Sequence, residues 1–383
     1  MSRDLILLAL SMMAWGLGEG MFYVFQPLYL EELGASPLVI GRILGAVGIA
    51  MTVAHIPAGF LADRIGRRPM MWLAWSIGML ATWVMALARS LPVFVAGMIF
   101  YGLTAFVMSP LNSYITEARG KLNVGRAITL ISAFYSTGAI LGPWLGGQIG
   151  SRMGLHTVYL ISAAIFVISV LIVLLIRPQP IVQHAQSSQP ARFPLNRGYL
   201  VFTGVVFLAM FATYLPQPLS PNFLQNERSL SIEQIGELGS ISSLGIVFLN
   251  LTLGSLNARL GFLVGQACMA GYTLALWQGT GMGWYSMGYF LIGGYRVARS
   301  FATALTRELV PPAWMGLAYG ITETVNTSVV IFAPPLAGML YQQNPPLIYI
   351  TALALIGFSL LVSLRFVLSR RTRHIAERND GRI

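Results

Sequence analysis

Four ionisable residues stand out within stretches that are otherwise rich in apolar and small residues. They are Glu19, Arg296, Arg299 and Glu323. A charge at the centre of a membrane span costs roughly 2.5–3.5 kcal/mol on insertion, so such residues usually face a protein interior and serve transport or pairing. A carboxylate holds its proton more tightly in an apolar site, whereas a nearby arginine favours the ionised form. We therefore predict that Glu19 exchanges a proton, and that Arg296 either binds an anionic group of a substrate or holds Glu19 when the site is empty.

A structural role is the alternative for each of these residues. The spacing of Arg296 and Arg299 puts them on adjoining parts of one helical face, where Glu323 can neutralise either arginine. Glu19 can equally be a buried acid that only accepts hydrogen bonds. A substrate cavity built around Arg296, Arg299 and Glu323 would also need polar and aromatic walls, although aromatic residues in spans often serve as packing or interface anchors. The candidates are Tyr23, Gln26, Tyr101, Asn112, Tyr214, Gln217 and Tyr295.

Apolar helices are expected to position these side chains. Hydrophobic residues make up 56% of the 383 residues and charged residues 10%, against roughly 45–50% and about 25% in soluble domains. The apolar runs approach the roughly 20 residues that cross a bilayer as a helix, and they lack the alternation of barrel strands. The sequence predicts twelve spans, at 4–30, 38–62, 69–89, 91–117, 124–150, 155–177, 198–222, 233–258, 262–282, 284–308, 314–340 and 346–368.

The net charge of +11 follows this topology and does not indicate a nucleic-acid-binding surface. If the N-terminus lies inside, most lysines and arginines fall in cytoplasmic segments, and the outer loops hold only Arg42, Arg89, Arg152 and Arg228. By the positive-inside rule, we expect a multi-pass protein of a bacterial inner membrane with both termini in the cytoplasm.

The sequence divides into two related halves. Residues near 59–66 recur at an offset of 195, and residues near 117–147 recur at an offset of 191. Parallel repetition of six-helix units is an architecture of secondary transporters. The recurring pairs are Gly59 and Gly254, Leu61 and Leu256, Arg64 and Arg259, Gly66 and Gly261, Glu117 and Glu308, Gly125 and Gly316, Pro143 and Pro334, Leu145 and Leu336, and Gly147 and Gly338.

These observations predict four segments. An N-terminal six-helix bundle occupies 1–177, and a second six-helix bundle occupies 198–368. Between them, 178–197 contains four prolines together with Gln and Ser residues, which predicts a cytoplasmic linker. Residues 369–383 form a basic cytoplasmic tail.

The loop after the second predicted span carries a specific motif. It reads Gly59-Phe60-Leu61-Ala62-Asp63-Arg64-Ile65-Gly66-Arg67-Arg68-Pro69 and resembles the signature loop of the major facilitator superfamily. The resemblance implies twelve helices in two six-helix bundles, with Asp63 at the start of the eleventh helix and Arg67 paired with an acid that ends the fourth. An acid favours the positive end of a helix, so this contact can hold one conformation. The conformational latch would comprise Gly59, Asp63, Arg64, Gly66, Arg67 and Glu117, the alternative being an ordinary charged turn.

The fifth predicted span contains a second motif, which resembles the glycine-proline motif of antiporters in the same superfamily. Small residues permit close helix packing, and proline bends a helix. The residues are Gly138, Gly142, Pro143, Gly146 and Gly147. Two positions depart from the family pattern: Thr129 replaces the first glycine, and Met98 replaces an arginine of many drug/proton members. The family fold also implies that helices one, four, seven and ten line the central cavity, which would place Glu19 and both arginines around one chamber.

Other chemistries lack their characteristic residues. Lys121 is the only lysine and is followed by Leu122, so the chain has no phosphate-binding Walker loop and is not driven directly by ATP. It has neither a paired His-Glu zinc signature nor a Gly-x-Ser-x-Gly elbow. Cys268 is the only cysteine, which excludes a thiolate metal cluster. We expect no enzymatic activity, no cofactor and no metal.

The sequence thus predicts a secondary active transporter that moves a small molecule by alternating access. The leading hypothesis is proton-coupled efflux of amphipathic or drug-like compounds, with Glu19 as the coupling residue. One alternative is a transporter of an anionic, sugar or lipid-like solute, with Arg296 as the partner of an anion. The other is a non-transporting membrane scaffold or sensor on the same fold. The expected partners are the substrate, the proton and the lipid bilayer.

Overall fold

The computed structural model describes residues 2–179, 197–307, 309–310 and 314–379, with side chains for all of these except 55–65, 109, 197, 316 and 367–379. Within that part of the chain the ordered elements are sixteen α-helices and one short 3-10 helix, without any strand. This confirms the predicted all-helical fold class. Glu308, the predicted repeat partner of Glu117, lies outside the described residues.

The helices follow one another through short connections. The first eight are α1 (Arg3–Tyr23), α2 (Gln26–Glu32), α3 (Pro37–Ile65), α4 (Arg67–Leu87), α5 (Leu91–Gly102), α6 (Met108–Ala118), α7 (Val124–Met153) and α8 (Leu155–Leu174), with the 3-10 helix Leu103–Val107 between α5 and α6. The other eight are α9 (Arg197–Tyr214), α10 (Ser220–Arg228), α11 (Ile232–Leu253), α12 (Ala258–Gln278), α13 (Met282–Leu291), α14 (Gly293–Thr306), α15 (Met315–Gln343) and α16 (Leu347–Asn379).

Nine helices of the described chain are long and apolar enough to cross a membrane: α1, α3, α4, α7, α8, α11, α12, α15 and α16. Helices α5 and α6, bent by 43° across the 3-10 turn, make a tenth if they are counted as one span. Helix α9 is apolar but shorter. The membrane fold is therefore confirmed, while the number twelve stays a prediction.

Several predicted spans are broken in the structure. The span predicted at 4–30 ends with α1 at Tyr23, and α2 then begins at Gln26 with Pro27 in its first turn. Proline suits the first turn because its missing amide hydrogen has no partner there in any helix. The span predicted at 198–222 divides in the same way into α9 and α10, whose first turn contains Pro221. The span predicted at 284–308 is interrupted at Ile292, between α13 and α14.

Contacts divide the chain into two compact units. Unit 1 comprises Met1–Ser187 and Leu219–Ser243, and unit 2 comprises Ser188–Pro218 and Leu244–Ile383. Helix α10 and the first half of α11 thus belong to unit 1 by their contacts.

The core of unit 1 forms where α1 packs against α4, α7 and α8. The ring of Trp15 lies 4.5 Å from the ring of Phe166 and 5.1 Å from that of Trp75. Nearby, the Ser11 hydroxyl donates to the Ser169 carbonyl at 2.9 Å, and the Ser169 hydroxyl donates to the Ser11 carbonyl at 2.8 Å. Hydrogen bonds between helices satisfy these buried hydroxyls and set the height of α1 against α8.

The core of unit 2 forms around α12, which packs against α14 and α16. A Cβ atom at Gly265 would lie 2.6 Å from the Gly294 carbonyl oxygen and 2.7 Å from the Ala298 amide nitrogen, so only glycine permits this approach of α14. On the other side, the buried amide oxygen of Gln266 accepts a hydrogen bond from Ser359 of α16 at 2.8 Å. Helix α14 therefore packs closely against α12, which is long and apolar enough to span a membrane.

Candidate functional site

Glu19 lies at the contact between α1 and α7 in unit 1. Its side chain is half-buried, and Tyr135 of α7 donates a hydrogen bond to the Glu19 carboxylate at 2.7 Å. The buried Tyr101 hydroxyl faces the same carboxylate, and it interacts electrostatically with Glu19, Tyr135 and Tyr23. The Glu19 carboxylate is therefore half-buried among phenol groups of α5 and α7.

A stripe of glycines on α7 brings Tyr135 to Glu19. A Cβ atom at Gly142 would lie 2.6 Å from the Leu17 carbonyl oxygen and 2.8 Å from the Cα atom of Gly20, both on α1. Gly138 and Gly146, one turn away on either side, also lie directly against the backbone of α1. Residues four apart lie on one helical face, so these glycines let the two backbones touch over several turns.

The adjoining face of α7 packs against the first half of α11, within unit 1. A Cβ atom at Gly236 would lie 2.5 Å from the Pro143 carbonyl oxygen, and one at Gly147 would lie 3.1 Å from the Gly236 Cα. The Gln148 amide also donates a hydrogen bond to the Glu233 carboxylate at 2.5 Å. Helix α7 is continuous through Pro143. The five motif residues therefore allow close packing of α7 against α1 and against the first half of α11.

The predicted latch is partly visible. Gly66 has a φ angle of +87°, which favours glycine, and it precedes α4. The Arg67 guanidinium lies 3.8 Å from the Glu117 carboxylate and donates to the Ser113 carbonyl at 3.4 Å and to the Gln179 amide oxygen at 3.3 Å. Arg67 thus connects the start of α4 with α6. The side chains of the other predicted latch residues lie outside the described part: Gly59, Asp63 and Arg64.

In unit 2, the two arginines of α14 have different surroundings. Arg299 forms a hydrogen-bonded ion pair with Glu323 of α15, and Glu323 also accepts from the Asn326 amide at 3.4 Å. Arg296 is exposed and forms neither an ion pair nor a hydrogen bond with any residue that the structure describes. The sequence left open which of the two arginines Glu323 neutralises, and in the structure Glu323 pairs with Arg299.

The other predicted cavity residues fall into two groups. Tyr214 and Tyr295 of unit 2 pack with their ring centroids 5.5 Å apart, while the Gln217 amide donates to the Thr213 carbonyl of its own chain segment at 2.9 Å. In unit 1, Tyr23 is 56% exposed and Asn112 of α6 is also exposed. Gln26 and Tyr101 are buried.

Sequence reasoning missed Tyr135 and Asn326. Tyr135 precedes Gly138 by three residues, so helical periodicity places it on the glycine face of α7, and this was the available signal. Asn326 follows Glu323 by three residues on α15 and is fully buried. Among the described residues, no group of three or more His, Cys, Asp or Glu side chains could hold a metal ion.

The ion pair between Arg299 and Glu323 supports a stability prediction. Replacing Glu323 with Gln leaves the Arg299 guanidinium, whose side chain is only 27% exposed, without its counter-charge. Because half of the Glu323 side chain is exposed, water compensates in part, and we expect a loss of about 1–3 kcal/mol in the free energy of unfolding. The measurement is thermal unfolding in detergent. The double variant with Arg299→Gln should recover stability, and a double variant less stable than Glu323→Gln would contradict the pairing.

Comparison with known protein families also divides the chain into two repeated halves. The profile of the Major Facilitator Superfamily matches residues 7–204 and, a second time, residues 202–382. The chain belongs to the major facilitator superfamily. It is a multi-pass membrane transporter, and the superfamily profile covers each half of it once.

Relatives and solved structures agree with this assignment. Multidrug resistance protein 2 of Bacillus subtilis (strain 168) is 23% identical over 366 residues, which cover 91% of this transporter and 90% of the relative. Quinolone resistance protein NorA of Staphylococcus aureus (strain MRSA252) is 22% identical over 177 residues, 45% of this chain and 46% of that one. The crystal structure of the nucleoside transporter NupG superposes with a TM-score of 0.79 at 15% identity, covering 96% and 98% of the two chains. That likeness concerns the fold alone.

Proposed function

We propose that this transporter is a proton-coupled exporter of small amphipathic or drug-like molecules in a bacterial inner membrane, with both termini in the cytoplasm. The observation that carries the proposal is the carboxylate of Glu19, half-buried on α1 and hydrogen-bonded to Tyr135 at 2.7 Å. Relatives named as multidrug and quinolone resistance proteins support the substrate class.

The Glu19–Tyr135 hydrogen bond accommodates both charge states of the acid. When Glu19 is ionised, the Tyr135 hydroxyl donates to it. When Glu19 is protonated, it becomes a donor, and the same hydroxyl can accept after rotating about its C–O bond. The contact between Glu19 and Tyr135 therefore keeps a hydrogen bond in both charge states. Because α1 and α7 touch backbone to backbone at this level, a change in the charge of Glu19 acts directly on their interface.

The junction of α3 with α4, where only Gly66 separates the two helices, supplies the conformational control. The guanidinium of Arg67 binds Glu117, Ser113 and Gln179, so it ties α4 to α6 in the observed state. We assign the latch to this contact together with Gly59, Asp63, Arg64 and Gly66. Breaking the contact would release α4 from α6, and proton exchange at Glu19 would determine when that release is favourable.

A pH gradient across reconstituted vesicles tests the proposal. In exchange with protons, the substrate moves toward the acidic compartment, so proteoliposomes with an acidic interior should accumulate a fluorescent quinolone from outside. A proton ionophore should abolish the accumulation. Protein-free vesicles of the same lipid report passive partitioning. Accumulation by the protein that persists unchanged after the gradient is collapsed would contradict proton coupling.

A further inference from the structure

Helix α14 exposes a polar face beside α12, which is long and apolar enough to cross a membrane. Arg296 and Ser300 are exposed and Thr303 is half-buried, whereas the opposite side of α14 packs against α12. The contacts of Gly265 with Gly294 and Ala298 place Arg296 opposite the seventh or eighth residue of α12, about 10 Å from the start of that helix. A face of this composition cannot lie in hydrocarbon without large cost. It therefore borders an aqueous passage.

One positive charge on this face lacks compensation within the described chain. Glu323 neutralises Arg299, and no described residue pairs with Arg296. A cation at this depth is unfavourable unless an anion or water approaches it. Arginine binds carboxylates through two parallel hydrogen bonds, which are stronger than bonds between neutral groups. An anionic ligand would supply the counter-charge that Arg296 lacks among the described residues.

Two buried polar atoms, one on α14 and one on α15, also lack hydrogen-bond partners among the described residues. The Tyr295 hydroxyl, on a side chain that is 7% exposed, and the Oδ1 atom of Asn326, on a side chain that is fully buried, form no hydrogen bond with the described residues. Tyr295 interacts electrostatically with both Arg296 and Arg299. A buried polar atom without a partner calls for an explanation, and a polar ligand bound beside it would supply one.

An aromatic surface adjoins these polar groups. The rings of Tyr214 and Tyr295 pack 5.5 Å apart, and Tyr214 is half-buried. Aromatic ligands stack favourably against such rings. Within its described residues, unit 2 by itself therefore offers a guanidinium without a counter-charge, hydrogen-bonding atoms without partners and an aromatic wall.

We propose that Arg296 is the anion-binding residue of the substrate site, and that the amphipathic substrates of this transporter are aromatic carboxylates. Arg299 interacts electrostatically with Tyr295 and is itself held by Glu323. The inference rests on the proposed function for the direction of transport. Its test is a binding measurement without a gradient, so its failure is distinguishable from a failure of proton coupling.

The test compares two ligands of one shape that differ in charge. The full-length protein is placed in phosphatidylcholine nanodiscs, and the affinities for 1-naphthoate and for its neutral amide are measured by calorimetry. The parent should prefer the carboxylate, and Arg296→Gln should weaken carboxylate binding at least about tenfold, the effect of losing a charge-assisted hydrogen bond, with the amide unaffected. Arg296→Lys should retain part of the preference. Arg307→Gln removes the same charge about 16 Å along the helix and serves as the matched control.

Other outcomes would overturn the proposal. The parent could bind the amide as tightly as the carboxylate, or the preference could survive in Arg296→Gln while thermal unfolding shows that variant to be folded. A lipid headgroup is another source of an anion for Arg296, so the measurement is repeated in nanodiscs that contain phosphatidylglycerol. Loss of all Arg296-dependent naphthoate binding there would identify the lipid as the occupant and refute the substrate assignment.

Discussion

Replacement of Glu19 by glutamine is expected to reduce transport driven by a pH gradient to the level of protein-free vesicles. Glutamine has nearly the same shape and still offers a carbonyl oxygen to the Tyr135 hydroxyl, which donates at 2.7 Å in the parent. The variant cannot, however, bind or release a proton in the physiological range. Exchange of substrate between two compartments at equal pH needs no net proton movement, so counterflow of labelled substrate should persist.

Two further variants separate the proton from the hydrogen bond. Tyr135→Phe removes the donor but keeps the acid, so gradient-driven transport should persist with an altered dependence on pH. Glu227→Gln removes an exposed acid elsewhere in unit 1 and should leave transport unchanged. If Glu19→Gln retained the gradient dependence of the parent, Glu19 would be a structural hydrogen-bond acceptor, which is the alternative that the sequence left open.

Replacement of Gly142 by alanine is expected to lower the free energy of unfolding by about 2 kcal/mol, as overpacking of a tight interface does. The added methyl carbon would lie 2.6 Å from the Leu17 carbonyl oxygen and 2.8 Å from the Gly20 Cα. Both atoms belong to the backbone of α1, so no side chain can rotate away, and the two helices must separate. Thermal unfolding in detergent is the measurement, and Gly142→Val should be less stable again.

Gly125→Ala is the matched control on the same helix. The nearest atom to a Cβ at Gly125 is the Asn123 Oδ1 at 3.7 Å, which is ordinary contact, so the change should stay within about 0.5 kcal/mol. Because Glu19 lies between Gly16 and Gly20 on α1, separation of α1 from α7 should also weaken the hydrogen bond to Tyr135. Equal stability of the Gly142 and Gly125 variants would show that the glycine stripe does not determine the approach of the two helices.

The glycine-proline motif illustrates how far a sequence motif can be interpreted. Its spacing predicted close packing of α7, and the structure shows its glycines against the backbone of α1 and of the first half of α11. The sequence did not reveal which helices would be the partners. Any helix with a small or backbone-exposing face could meet such a stripe, and only the fold determines which one does.

For the charged residues, too, the sequence indicated which residues matter, and only the fold determined their partners. Composition and spacing identified Arg296, Arg299 and Glu323 as members of one site, because charges are rare in apolar spans. Three-residue spacing leaves both arginines within reach of one acid on the next helix, so the sequence could not choose between them. The choice depends on how far α15 is rotated and shifted along α14, and in the structure Glu323 meets Arg299.

The sequence by itself determined that this protein is a helical membrane protein of the major facilitator superfamily, since hydropathy and the Asp63-to-Pro69 loop are local properties of the chain. It also identified Glu19 and Arg296 as candidates for chemistry. Only the tertiary structure decided that Tyr135 donates to Glu19, that Arg296 stays without a counter-ion among the described residues, and that the first and seventh predicted spans are each broken into two helices. Side-chain partners and helix breaks depend on the distances between elements remote in sequence, which periodicity does not contain.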